Sequence, residues 1–285
     1  MNPSCTDAAA AALPVVSLPS PPMSAPAPRA PTPIDPAIMP LALDAGGEHV
    51  ELWPQRAVFW PRERTLMVAD MHLGKVGTFV AAGLPVRADL CERAAESDLA
   101  RLGALIARTG ATRLAILGDL LHARAGRSPE ILARFAHWRT STDHGGGANI
   151  DILLIRGNHD DRAGDPPCDW CVQCVDEPFT LGPFALRHYP KGYQKRLTER
   201  GPRAPKTPPS VNADSDHAFW FAGHVHPAVT IGIGGDRAAG PCFHICRGGM
   251  ILPAFGAFTG GESVRPCADD QVFVCGPRRV FRLPL

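Results

Sequence analysis

Two short pairs, Asp70-Met71-His72 and His224-Val225-His226, set ligand-type side chains two residues apart. In an extended segment that spacing points both side chains to one side, so each pair can grip a cation. Between the pairs lie Gly118-Asp119, the run Gly157-Asn158-His159-Asp160, and His188. Asp119 offers a carboxylate whose two oxygens can bridge two cations, and Asn158 offers a neutral oxygen that a glycine at 157 lets the backbone aim. His188 adds a further imidazole. Two divalent ions about 3.5–4 Å apart form a clamp suited to in-line attack on phosphorus. The donors are oxygen and imidazole nitrogen without thiolate, a set that suits manganese, iron, zinc, nickel or cobalt, with manganese the leading choice.

Each fragment alone is weak. A lone D-x-H or H-x-H is more often surface or core decoration than a site, and a lone Gly-Asp is weaker still. The weight comes from their order over residues 70–226, each fragment following a stretch that reads as a strand.

Those strands read as follows. Short apolar runs occupy 56–60 and 65–69, the second ending on Asp70; residues 113–117 end on Gly118-Asp119, and 150–155 lead into Asn158 and His159. A hairpin, 179–181 and 184–187 around Gly182-Pro183, ends on His188, and 218–222 ends on Gly223-His224. Five strands thus finish on a residue that can bind a metal or a phosphate, which matches the ligand position of α/β sheets at the carboxyl ends of strands. A helix is expected over 88–108, where Cys91, Ala95, Leu99, Leu102 and Ile106 recur at spacings of three and four before Gly110. Ser128-Pro129 opens a second helix. Shorter strands at 228–233, 242–246, 250–252, 272–275 and 279–283 would extend a second sheet.

Composition sets bounds. The 285 residues fit one large α/β domain, and a 45% hydrophobic fraction suffices for a sizeable core. A net charge of +1 argues neither for nor against a polyanionic partner, so any such preference must be local. Nine cysteines, an odd number in a chain of this length, fit a reducing cytoplasm. No secretory signal is recognisable, and no apolar run approaches the roughly 18 residues a membrane span needs. The first 40 residues hold 11 of the 30 prolines, so residues 1–45 read as a disordered Pro/Ala-rich leader and 46–285 as the folded domain. A proline-rich ligand for a partner domain is the other reading of the leader.

The ordered motif set resembles the calcineurin-like metallophosphoesterase superfamily over most of the chain after residue 48. The resemblance implies an α/β fold of two packed mixed β-sheets flanked by helices. It also implies that Asp70, His72, Asp119 and His226 hold one metal while Asp119, Asn158, His188 and His224 hold the second. His159 would sit near the phosphate and protonate the leaving oxygen, oriented by Asp160. A closer resemblance is to the bacterial DNA ligase-associated metallophosphoesterases. It rests on DMHLGK at 70–75, GLP at 83–85, GDLLH at 118–122, GNHD at 157–160, GHVHP at 223–227 and LPAFGAFTGG at 252–261. That similarity implies a nuclease or phosphodiesterase of DNA repair, linked to an ATP-dependent DNA ligase and a helicase. The leader and a long polar loop at 198–215 depart from the compact pattern.

Other residues carry competing readings. The stretch 187–206 gathers Arg187, Lys191, Lys195, Arg196, Arg200, Arg203 and Lys206 against the single acid Glu199, either as a loop that tracks substrate phosphates or as solvated surface. His122 and Arg124 follow Asp119 and could contact substrate phosphate or cap the loop. Cys168, Cys171 and Cys174 could bind zinc but read better as incidental thiols. His49, His137, His144, His217 and His244 read as surface or packed histidines. The expectation is a two-metal phosphodiesterase or nuclease. Its alternatives are a hydrolase of nucleotides or small phosphodiesters and a non-catalytic scaffold, and oligomeric state is left open.

Overall fold

The computed structural model describes residues 33–142, 146–192, 218–233 and 236–284. The chain first lays down a hairpin, β1 (Leu41–Ala45) and β2 (Glu48–Trp53), then β3 (Ala57–Trp60) and β4 (Thr65–Val68). The helices α1 (Lys75–Ala81) and α2 (Ala88–Thr109) lead to β5 (Arg113–Ile116), α3 (Pro129–Thr140) leads to β6 (Asp151–Ile155), and α4 (Asn158–Ala163) precedes β7 (Val172–Val175). These seven strands form one sheet in the order β1-β2-β3-β4-β5-β6-β7. Pairing is antiparallel through β4 and parallel from β4 to β7, since the helical crossovers return the chain in the same sense.

The second sheet begins with β8 (Phe179–Leu181), β9 (Phe184–Leu186), β10 (Phe219–Ala222) and β11 (Pro227–Ile233). It continues with β12 (Asp236–Cys246), β13 (Gly249–Ile251), β14 (Glu262–Ser263), β15 (Gln271–Cys275) and β16 (Val280–Arg282). Its order is β14-β11-β12-β13-β10-β9-β8, with β15 beside β12 and β16 beside β15. The architecture is therefore the expected α/β sandwich of two mixed sheets with flanking helices.

The central strands read as continuous apolar runs because both of their faces are buried. Along β4, Leu66 and Val68 join the core under the helices, whereas Met67 and the following Ala69 join the core between the sheets. Strand β5 alternates likewise: Leu114 and Ile116 meet the helices, Ala115 and Leu117 the second sheet. From the other side come Phe184, Leu186, Phe221, Phe243 and Leu252. Helix α2 buries Ala95, Leu99, Leu102 and Leu105 against the first sheet and ends at Gly110, as the spacing predicts. Helix α3 starts where Ser128 accepts a hydrogen bond from the Ile131 N–H, and it seats Phe135 on Trp170 with ring centroids 3.9 Å apart.

The expected domain edge needs correction. Residues 41–45, assigned to the leader, form β1 in full register with β2, and Ile34 and Ile38 pack against the helical core. The signal was present: Leu41 and Leu43 alternate with exposed Ala42 and Asp44 before a Gly46-Gly47 hairpin turn. Residues 1–32 lie outside the described residues. No helix among the described residues is long and apolar enough to cross a membrane.

Candidate metal centre

The loops after β4, β5 and β6 leave the carboxyl edge of the first sheet, and those after β9 and β10 leave that of the second. Backbone bonds lock them together. Asp70 N–H donates to Gly118 C=O at 3.1 Å, His72 N–H to Asp119 C=O at 2.8 Å, and Gly223 N–H to His188 C=O at 3.1 Å. The segment after β13 closes the ring, with Phe255 N–H on Ala69 C=O at 2.7 Å and Gly256 N–H on Asp70 C=O at 3.2 Å.

The two D-x-H and H-x-H pairs do not work by strand alternation, as their spacing had implied. Asp70 (φ 54°), His72 (φ 48°), Asp119 (φ 55°), His224 (φ 68°) and His226 (φ 51°) all adopt the left-handed backbone conformation. Aspartate and histidine tolerate it better than most side chains, yet it still stores strain that the surrounding bonds must hold. Two glycines make room for the crowding. A Cβ on Gly118 (φ 83°) would stand 2.0 Å from His188 Nδ1, and one on Gly157 would stand 2.3 Å from Asp119 Oδ1. Gly157 thus provides space beside Asp119.

Among the described residues three sets of side chains could each hold a cation: Asp70, His72 and His226; Asp119, His188 and His224; and His72, His122 and His159. In the first, His72 Nε2 and His226 Nε2 face one another at 3.4 Å, and His226 Nε2 lies 3.3 Å from Asp70 Oδ1. In the second, His188 Nε2 lies 3.1 Å from His224 Nδ1, 3.1 Å from Asn158 Oδ1 and 3.6 Å from Asp119 Oδ2. The same Asp119 Oδ2 is 3.8 Å from His72 Nε2, so one oxygen stands between the groups. A divalent cation fits this donor set on two further observations. Asp70 Oδ1 is fully buried and accepts no hydrogen bond, while Oδ2 takes the His224 N–H at 2.8 Å. Burial pushes the Asp119 carboxyl up to about 7, with His188 pulling it down and Asp70 and Asp160 pushing it further up.

Ring orientation is fixed from behind. His188 Nδ1 donates to Leu117 C=O at 3.1 Å, which turns Nε2 toward the other donors. Glu177 accepts the N–H groups of His188 (2.6 Å) and Tyr189 (2.8 Å) through one oxygen. Burial lowers the affinity of His188 for a proton, but Asp119 and Asp70 outweigh it and the net shift is upward. His72 is shifted far down, by burial first and then by His226 and His159.

His159 lies beside the first two of these sets. Its N–H donates to Asp119 Oδ1 at 2.9 Å, its Nδ1 meets His122 C=O at 2.6 Å, and its ring stacks on that of His122 with centroids 4.5 Å apart. His122 Nδ1 in turn sits 3.1 Å from His72 Nδ1, so His122 belongs to the cluster. Burial lowers both His159 and His122, the latter to about 4. Asp160 does not orient His159 as expected. Its carboxylate points under the loop, taking the N–H groups of Asp119 (2.7 Å), Gly157 (3.0 Å) and Leu121 (3.2 Å). The reason is that Asn158 starts α4, and a carboxylate two residues into that turn faces back toward the open N–H groups at its start.

Arg124 is exposed on the turn after His122. Lys191 is half-buried three residues beyond His188, and Lys195 and Arg196 lie outside the described residues. Cys168, Cys171 and Cys174 carry free thiols and form no metal-sized group among the described residues. Sequence reasoning missed Tyr189, whose hydroxyl donates to Asn158 Oδ1 at 3.2 Å, and Glu177; neither belongs to a recognisable pair or spacing. His244, read as a surface or packed residue, pairs with Asp270 at 2.9 Å.

No family model matches the chain, and no curated protein does. Among solved structures the chain is similar to the crystal structure of Pseudomonas putida nuclease MPE, with 36% sequence identity over 86% of this chain and 100% of that one, at a TM-score of 0.65.

Proposed function

We propose, from the premise that this chain belongs to the family of Pseudomonas putida nuclease MPE, that it is a metal-dependent phosphodiesterase that cleaves nucleic acid. The observation that carries the reading is Asp119 Oδ2, 3.8 Å from His72 Nε2 and 3.6 Å from His188 Nε2. A carboxylate oxygen between two sets of imidazole and carboxylate donors suits a pair of cations.

In this reading Asp70, His72, Asp119 and His226 would hold one divalent ion, and Asp119, Asn158, His188 and His224 the other, manganese by preference. When bound, the pair would supply positive charge to the phosphoryl oxygens and acidify water. The chain does the rest. His188 and Asn158 stay aimed because Leu117 C=O, Glu177 and Tyr189 hold them. His159 is the catalytic proton donor to the leaving oxygen: its Nδ1–H donates to His122 C=O, so Nε2 is the ring nitrogen that takes up a second proton and passes it on. His122, packed on His159 and His72, borders the same space and is proposed to contact substrate phosphate with Arg124, Lys191, Lys195 and Arg196. Asp160 is a positioning residue.

The motifs at 70–75, 118–122 and 252–261 support a finer placement, a cytoplasmic enzyme of DNA repair working beside an ATP-dependent ligase and a helicase. Nitrophenyl phosphate, bis(nitrophenyl) phosphate, single-stranded DNA and duplex DNA, each offered with Mn²⁺, test the core of the reading. Turnover of the diester and of DNA is expected, with little on the monoester. Activity on the diester alone would favour a small-phosphodiester hydrolase, and activity on none would favour a scaffold.

A further inference from the structure

Lys75 has no part in the scheme above, yet its surroundings are unusual for a lysine. It opens α1 directly after Gly74, in a loop fixed by Leu73 N–H on Leu120 C=O (2.9 Å) and His122 N–H on Leu73 C=O (3.1 Å). The side chain is half-buried, and among the described residues its ammonium has neither an ion pair nor a hydrogen-bond partner. Leaving a partly desolvated charge unpaired is costly, so such a group ordinarily awaits an anion. Asp70 and Asp119 attract it from beyond contact range, and its charge is felt at His72, His122 and His159.

Lys75 lines a narrow, mostly apolar crevice whose walls also include His72, Asp98, Phe258 and Thr259. Phe258 is 43% exposed, a large apolar ring left at the surface. It is not on a loose loop. Ala257 N–H is held by both oxygens of the buried Asp98 at 3.1 and 3.2 Å, Gly256 N–H by Asp70 C=O at 3.2 Å, and Thr259 N–H by Gly256 C=O at 3.2 Å. An exposed aromatic ring on a hydrogen-bonded turn and an unpaired cation therefore border one crevice that His72 also lines. A lysine ammonium meets phosphate as a point charge, and stacking on an aromatic ring suits any nucleobase.

We propose that the mouth of this crevice is a nucleotide subsite, in which Lys75 contacts a phosphate at the edge of the metal centre and the exposed Phe258 stacks on the base attached to it. The assignment rests on the phosphodiesterase reading and names how its substrate is gripped.

Full-length protein loaded with Mn²⁺ tests it, with an oligodeoxynucleotide and bis(nitrophenyl) phosphate as substrates and inorganic phosphate as competitor. Lys75→Met is expected to raise the KM for the oligonucleotide about tenfold, the scale of one charge-assisted hydrogen bond, with less change in kcat. It should weaken inhibition by phosphate, and Lys75→Arg should recover most of both. Phe258→Ala should raise the oligonucleotide KM by roughly tenfold, as for loss of one stacked base, and Phe258→Trp should restore it. Metal content and melting temperature should stay at wild-type values in all four. Unchanged KM in Lys75→Met and Phe258→Ala, or losses that Arg and Trp do not rescue, would overturn the subsite. Wild-type turnover of the small diester without any of the oligonucleotide would overturn it too and leave the phosphoesterase reading intact. Inertness toward both would bring down that reading and the subsite with it.

Discussion

One oxygen of the Asp160 carboxylate accepts the backbone N–H of Asp119 at 2.7 Å and that of Gly157 at 3.0 Å. It thereby ties the turn that carries Asn158 and His159 to the loop that carries the shared carboxylate. Asp160 acts on the site through the backbone, and substitutions there should read as structural losses.

Asp160→Ala strands three backbone N–H groups and is expected to cost roughly 3–4 kcal/mol, the low end for three unsatisfied buried donors at about 1–3 each. In a domain of this size that corresponds to a fall of about 5–15 °C in melting temperature. Metal retention should fall in parallel. Wild-type melting with a purely kinetic defect would return Asp160 to the role of orienting His159.

Asp119→Asn removes the charge between the two donor groups. Turnover is expected to drop below detection and bound metal per chain to fall, as read by elemental analysis. Chelation of the wild type should lower its melting temperature and added Mn²⁺ restore it, by about 2.7 kcal/mol at a hundredfold excess over Kd. Full activity in Asp119→Asn would end the two-metal reading.

His159→Ala should keep metal stoichiometry and lose rate by a factor of roughly 10² to 10⁴ on DNA, whose leaving alkoxide needs a proton. The loss on bis(nitrophenyl) phosphate should be smaller, because nitrophenolate departs readily without one. Loss of metal instead would make His159 a ligand.

Truncation separates the two parts of the N-terminal region. Removing residues 1–32, on their composition, should leave melting temperature and diester turnover unchanged. Removing residues 1–45 deletes β1 together with Ile34 and Ile38, exposes the edge of β2, and should lower the melting temperature by several degrees.

Much of this was legible in the sequence because β4, β5 and β6 are buried on both faces and so read as plain apolar runs, each followed by a polar candidate ligand. The same clarity hid the backbone. Nothing in Asp70-Met71-His72 shows that both candidate ligands take left-handed angles, which are held by their N–H bonds to Gly118 and Asp119 C=O and by the bond from the distant Gly256 N–H. Glu177 and Tyr189 escaped notice for a related reason. Their importance arises from contacts between segments far apart in the chain, whereas motif spacing reports only neighbours. Strand β1 was legible and was masked by the prolines before it.

The candidate ligands come from both sheets: Asp70, His72, Asp119 and Asn158 follow strands of the first, and His188, His224 and His226 follow strands of the second. A pair of cations there would act as a clasp across the sandwich, and its grip would report how the layers are seated. A side chain such as Phe221, wholly buried between the sheets, then becomes a remote tuner. Trimming it would be expected to loosen the packing of one layer on the other and with it the hold on any metal, without touching a candidate ligand. By the same linkage, a loaded centre braces the intersheet core, so that the chemistry at the rim and the cohesion of the interior are two readings of one balance.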